Sequence, residues 1–116
     1  MKHLLAATAI VALALTGQPA RAEFAGFNGS ALREACVSSE TGLQIVCKIY
    51  IAGATDALEQ ESPAPFCEPS GNDRTQLSIA FLYYIGRHPD EVDQPAPLLV
   101  KRALEAAYPC RKAGAR

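Results

Sequence analysis

Residues 42–61, GLQIVCKIYIAGATDALEQE, decide the fold class. Leu43, Ile45, Val46, Cys47, Ile49, Tyr50, Ile51, Ala52, Ala54, Ala57 and Leu58 are apolar, while Gln44, Lys48, Thr55 and Glu59 fall on one narrow stripe at multiples close to 3.6. This is a helix most of whose circumference wants cover. It predicts the hub of a small bundle, with part of the surface able to face a second subunit. Gly53 costs about 1 kcal/mol relative to alanine inside a helix, which predicts close approach by another helix backbone. Asp56, set among apolar neighbours, predicts a buried capping or hydrogen-bonding carboxylate.

Working outward, helical periodicity continues and strand-like alternation is absent. Asn28 or Ser30 can cap a first helix that runs to about Ser38, with Ala31, Leu32 and Ala35 inward and Arg33 and Glu34 outward. Ser39 to Gly42 form the turn. Ser62-Pro63-Ala64-Pro65 ends the long helix, because proline has no backbone donor and restricts the residue before it. After an irregular loop, a third helix runs from behind Asn72 to about Gly86, with Leu77, Ala80, Phe81, Tyr84 and Ile85 inward and Tyr83 off that stripe. Arg87 to Gln94 form a charged connection too polar for a core. A fourth helix spans about Pro95 to Ala107, with Pro95 and Pro97 in its first turn and Leu99, Val100, Ala103, Leu104, Ala107 and Tyr108 on its apolar face. Pro109 stops it, and Arg111 to Arg116 form a tail predicted to be mobile. The expectation is an all-α domain of four main helices.

The first 22 residues read differently. A positive start (Met1-Lys2-His3), an apolar run from Leu4 to Leu15 and a small-x-small end at Ala20-Arg21-Ala22 constitute an export signal, with cleavage after Ala22. Twelve residues of helix cover only about 18 Å, against roughly 30 Å of bilayer hydrocarbon. No second segment is long enough to span, and no cysteine sits at the cleavage point to carry a lipid. The expected product is exported and without a membrane anchor. Its residues 23–116 form one domain with nine Lys plus Arg against twelve Asp plus Glu. A mildly acidic surface repels phosphate backbones, which argues against nucleic acid as a partner.

All four cysteines, Cys36, Cys47, Cys67 and Cys110, follow the export signal. None is closer than eleven residues to the next, unlike the close pairs of zinc sites, and no C-x-x-C-H haem attachment occurs. Two disulfides are expected. Four cysteines allow three pairings, and the helix layout leans towards Cys36 with Cys47 and Cys67 with Cys110. Loops of that size would stabilise a small domain by roughly 3 and 4 kcal/mol.

His88 is the one histidine left after export, and it precedes a proline. A Ser-His-Asp or Cys-His nucleophile system would have to use it, yet every cysteine is better explained as oxidised, and the glycines form no phosphate-cradling pattern. No catalytic residue, metal or cofactor is expected.

The succession of Cys36, CKIYIAGATDAL (Cys47 to Leu58), FCEP (Phe66 to Pro69), TQLSIAFLYYIGRHPDEV (Thr75 to Val92) and APLLVKRALEAAYPC (Ala96 to Cys110) resembles the Rap/Tai family of immunity proteins. The resemblance spans about Asn28 to Cys110. It implies a periplasmic all-helical protein, often dimeric, that protects bacteria against a peptidoglycan amidase effector of type VI secretion by occluding its catalytic cleft. Carried over by position, the connection of Arg87 to Gln94 would enter or rim that cleft, with Arg87, His88, Asp90 and Glu91 as partner-binding residues. The alternative is a periplasmic structural or stress-related, chaperone-like helical protein that has no toxin partner.

Overall fold

The computed structural model describes residues 26–68 and 73–111. Residues 1–25, on which the expected export signal falls, residues 69–72 of the loop before the third helix and residues 112–116 of the tail lie outside them. Four helices follow in order: α1 (Gly29–Val37), α2 (Thr41–Glu59), α3 (Arg74–Arg87) and α4 (Ala96–Ala107), with a single 3₁₀ turn at Pro89–Glu91 between the last two. No described residue belongs to a strand.

Local chemistry explains the boundaries. The Asn28 side chain accepts from the Ala31 amide at 3.0 Å and starts α1. Asp73 does the same for α3 through the Thr75 amide. Pro97 sits in the first turn of α4, where its missing N–H has no intrahelical partner to lose. The α2 helix gives out before Pro63.

Both disulfides are formed, Cys36–Cys47 between α1 and α2 and Cys67–Cys110 between the segment after α2 and the end of α4. The second clasp is reinforced by the Cys67 amide donating to the Tyr108 carbonyl at 2.8 Å and by burial of the neighbouring Phe66. Leu32 of α1, Ile51 of α2, Leu77, Phe81 and Ile85 of α3, and Ala96, Leu99, Val100, Ala103 and Leu104 of α4 make one continuous core.

The most deeply buried helix is α4, whereas α2 touches all three other helices but along one side only. Only Cys47, Ile51 and Thr55 of α2 are buried, whereas Ile49 is 67 % exposed and Leu43, Ile45 and Val46 are also exposed. The three other helices among the described residues cover one side of α2 and leave the opposite side bare. Three expectations along this helix are corrected with it. Thr55 leaves the polar stripe and enters the core, where its hydroxyl donates to the Ile51 carbonyl at 2.7 Å and so carries its own hydrogen bond inward. Among the described residues no helix approaches Gly53; a Cβ added there would meet nothing within 4 Å. Asp56 is exposed and pairs with Arg74 at 2.9 Å across the surface, raising the Arg74 pKa.

The close approach sits at Gly29 instead. A Cβ there would come within 2.3 Å of Leu99 Cδ1 and 2.9 Å of the Val92 carbonyl oxygen. Opposite outcomes are therefore expected for the same substitution at two glycines. Gly29→Ala should destabilise the domain by about 1–3 kcal/mol through overpacking, while Gly53→Ala should stabilise it by about 0.5–1 kcal/mol through helix propensity. Urea unfolding of both variants checks this; equal and opposite-signed effects from those stated would mean that Gly53 is the crowded position.

Candidate functional site

The connection between α3 and α4 is held from three sides. At its start, His88 ends α3, its amide donating to the Tyr84 carbonyl at 3.0 Å and, more weakly, to that of Ile85 at 3.2 Å. The imidazole stacks on the Tyr84 ring with centroids 4.0 Å apart, and Nδ1 lies 2.9 Å from the Tyr84 carbonyl oxygen. A carbonyl only accepts, so Nδ1 carries the proton, leaving Nε2 for other interactions.

In the middle, the Glu91 carboxylate receives two donors at one oxygen. Tyr84 Oη–H donates at 2.8 Å and Arg102 Nη1–H at 3.1 Å. The Tyr84 bond first, and then the Arg102 bond and charge, hold Glu91 below the usual carboxylate range against the opposing effect of burial. Burial first and the Glu91 bond second push the Tyr84 phenol up. Within the turn, the Glu91 amide donates to the His88 carbonyl at 3.0 Å and the Gln94 amide to the Glu91 carbonyl at 2.9 Å.

On the far side, the first turn of α1 supplies amides that no helical carbonyl can accept. The Ser30 amide donates to the Val92 carbonyl at 2.8 Å and the Gly29 amide to the Gln94 carbonyl at 3.0 Å. The Ala96 amide returns a bond to the Phe27 carbonyl at 3.1 Å, beside an isolated antiparallel bridge between Asn28 and Pro95. The need for a glycine at position 29 follows, since the backbone of the connection lies against it.

Of the four residues expected to meet a partner, the structure brings all into this one feature but gives them different surroundings. Arg87 and Asp90 are exposed; His88 and Glu91 are half-buried and bonded within the chain. Pro89, Asp93 and Gln94 share the exposed edge. Sequence reasoning missed Arg102, Gly29 and Ser30 as supports of the connection. Tyr84 lies four residues before His88, a spacing that puts both on one helix face and signals their stacking. Arg102 and Gly29 have no such local signal, being eleven residues after Glu91 and far before it.

A second surface is the bare side of α2. Ile45, Val46 and Ile49 lie exposed within two turns, and Ile79 of α3 is also 53 % exposed. Monomeric domains rarely leave clustered apolar side chains in water without a use for them. Among the described residues, no cysteine is free and no group of three or more His, Cys, Asp or Glu is arranged to hold a metal ion. No helix among them is long and apolar enough to cross a membrane.

Glu91 has a testable electrostatic consequence. Its folded pKa is depressed, so the stabilisation it brings is fully present above the unfolded carboxylate value and is lost as pH falls through the folded one. The thermal midpoint of wild type should exceed that of Glu91→Gln at about pH 7 and converge on it by about pH 3. A gap between the two that is independent of pH would show that the carboxylate charge does not hold the connection.

No curated protein sequence matches the chain. The family model for Rap1a immunity proteins does match, over residues 28–110. That interval begins at the Asn28 cap, takes in α1 through α4 with the whole clamped connection, and ends at Cys110 in the second disulfide. The chain therefore belongs to the family of Rap1a immunity proteins, whose role is to bind a secreted effector protein.

Proposed function

We propose that this protein is an exported immunity protein that binds a peptidoglycan amidase effector of type VI secretion and occludes its catalytic cleft with the connection of residues 87–94. The observation that carries the reading is the immobilisation of that connection. Tyr84 and Arg102 hold it from one side and the first turn of α1 from the other, while Arg87, Pro89 and Asp90 remain exposed at its edge. A segment already fixed in its bound shape loses little conformational entropy on docking, so more of its contact energy appears as affinity. Arg87 and Asp90 supply charge to the partner directly. His88 and Glu91 act by shaping the turn, with His88 Nε2 left for a hydrogen bond. The chain binds and does not turn over substrate.

Export to the periplasm, with cleavage after Ala22, completes the reading. It brings the cysteines to the compartment where disulfides persist and the inhibitor to the wall that an amidase attacks. The bare side of α2 fits a homodimer in which Val46 and Ile49 of two copies face one another.

Two measurements test these statements separately. Mature protein used as bait in periplasmic extract should recover a peptidoglycan amidase. Replacing Arg87, His88, Asp90 and Glu91 together should then weaken the purified complex at least about ten-fold with helicity intact. Unchanged affinity removes the connection from the interface. Ile49→Asp should convert a dimer to a monomer in sedimentation equilibrium, whereas a wild-type chain that is monomeric at all concentrations would eliminate the paired α2 helices.

A further inference from the structure

Beside the connection, a groove of about 140 Å³ runs between α3 and α4. Its floor is built from small side chains, Ala103, Ala106 and Ala107 of α4, which leave hollow the space a larger residue would fill. Tyr83 forms one wall. It is 66 % exposed and is held upright by Arg87, whose guanidinium lies 5.5 Å from the ring centroid and donates to the Tyr83 hydroxyl at 3.3 Å. His88, stacked flat on Tyr84, closes the other side.

Charge beside the groove is only partly paired. Arg102 has the Glu91 carboxylate at 3.1 Å, but Arg87, like Arg33 and Lys48 elsewhere on the surface, has no carboxylate within 4.0 Å among the described residues. Its polar partner is the neutral Tyr83 hydroxyl. A chain with more acidic than basic residues thus keeps a cation uncompensated at the mouth of an apolar hollow. A hollow of this size matches one six-carbon side chain, since an engineered protein cavity of about 150 Å³ takes up benzene.

We propose that this groove is a receptor for a single apolar or aromatic side chain of the effector, presented next to a carboxylate that pairs with Arg87. The inference rests on reading the connection as the effector-facing edge, with which the groove is continuous through Arg87 and His88. It adds a reciprocal element: the connection enters the partner, and one side chain of the partner enters this chain. The chain's own continuation past Cys110 is a poor match for a carboxylate site, because it begins with two cations, Arg111 and Lys112.

The probe is 3-phenylpropionate, a six-carbon ring two methylenes from a carboxylate, with 3-phenylpropylamine as its cationic match. Titrated into disulfide-intact mature protein, the acid should move the amide resonances of Tyr83, Arg87, His88, Ala106 and Ala107 saturably, with Kd on the order of 1 mM for a ligand this small. Arg87→Gln should weaken the acid about three- to five-fold, the scale of an exposed ion pair, and leave the amine unaffected. Ala106→Phe, at an exposed position that tolerates bulk, should fill the hollow and abolish the response. Lack of saturation, equal binding of acid and amine, or shifts that track protein concentration instead of ligand would overturn the proposal, the last by giving the groove to a second copy. Against the captured amidase, Ala106→Phe should weaken a complex that the connection variants also weaken. An effect of the connection variants alone would refute the groove and spare the connection, whereas fragment binding by a chain that captures no amidase would eliminate the effector as occupant.

Discussion

The Cys36–Cys47 bond is the constraint on which the path of residues 87–94 depends. The α1 helix has nine residues, too few to persist in water by its own hydrogen bonds. It is kept in place by burial of Leu32 and Ala35 and by the disulfide to α2 at its C-terminal end. Its opposite end then has a fixed position, and the amides of Gly29 and Ser30 become anchors for Val92 and Gln94. Covalent order at one end of a short helix is thereby converted into a fixed backbone path at the other. The second bond, Cys67–Cys110, does the equivalent for the segment after α2, seating Phe66 in the core beside the end of α4.

Around this scaffold the polar groups divide by function. Tyr84, Glu91 and Arg102 form a small network whose members satisfy one another, so that burying part of a carboxylate costs little. Asp90 is left to water, and Arg87 is held only by the exposed Tyr83. Such a division suits a binding protein: the shape of the edge is set internally, and the charges at its tip remain available. The same logic separates the two exposed apolar features. The bare side of α2 is broad and fits another helix, while the groove by Tyr83 is narrow, cationic at its rim and adjacent to the connection.

Much of the fold was legible from residue order. Prolines at 63, 65, 95, 97 and 109 punctuate the helices, Asn28 caps the first, and the spacing of Leu77, Phe81 and Ile85 describes the buried face of α3 because one turn of helix returns each side chain to the same side. The helix layout also leaned towards the observed disulfides, since antiparallel neighbours joined by a short turn bring Cys36 near Cys47. The α2 helix was misread for an equally physical reason. A hydrophobic pattern states which side chains prefer cover, not whether the domain has enough helices to cover them. Four helices bury Ile51 and leave Ile49 bare, and the pattern of the one helix is the same in either case.

The sequence by itself determined the helical class, the order and approximate limits of the helices, the oxidised state of the cysteines and the polar character of residues 87–94, because each depends on local periodicity, backbone chemistry or composition. Only the tertiary structure decided that α4 is the most deeply buried helix while α2 keeps one side bare, that Thr55 points inward while Asp56 and Gly53 face water, and that the connection is clamped by Arg102 and by the first turn of α1. These depend on which distant backbone comes within about 3 Å, the range of a hydrogen bond. Chain-distant proximity of that kind leaves no periodic trace in residue order.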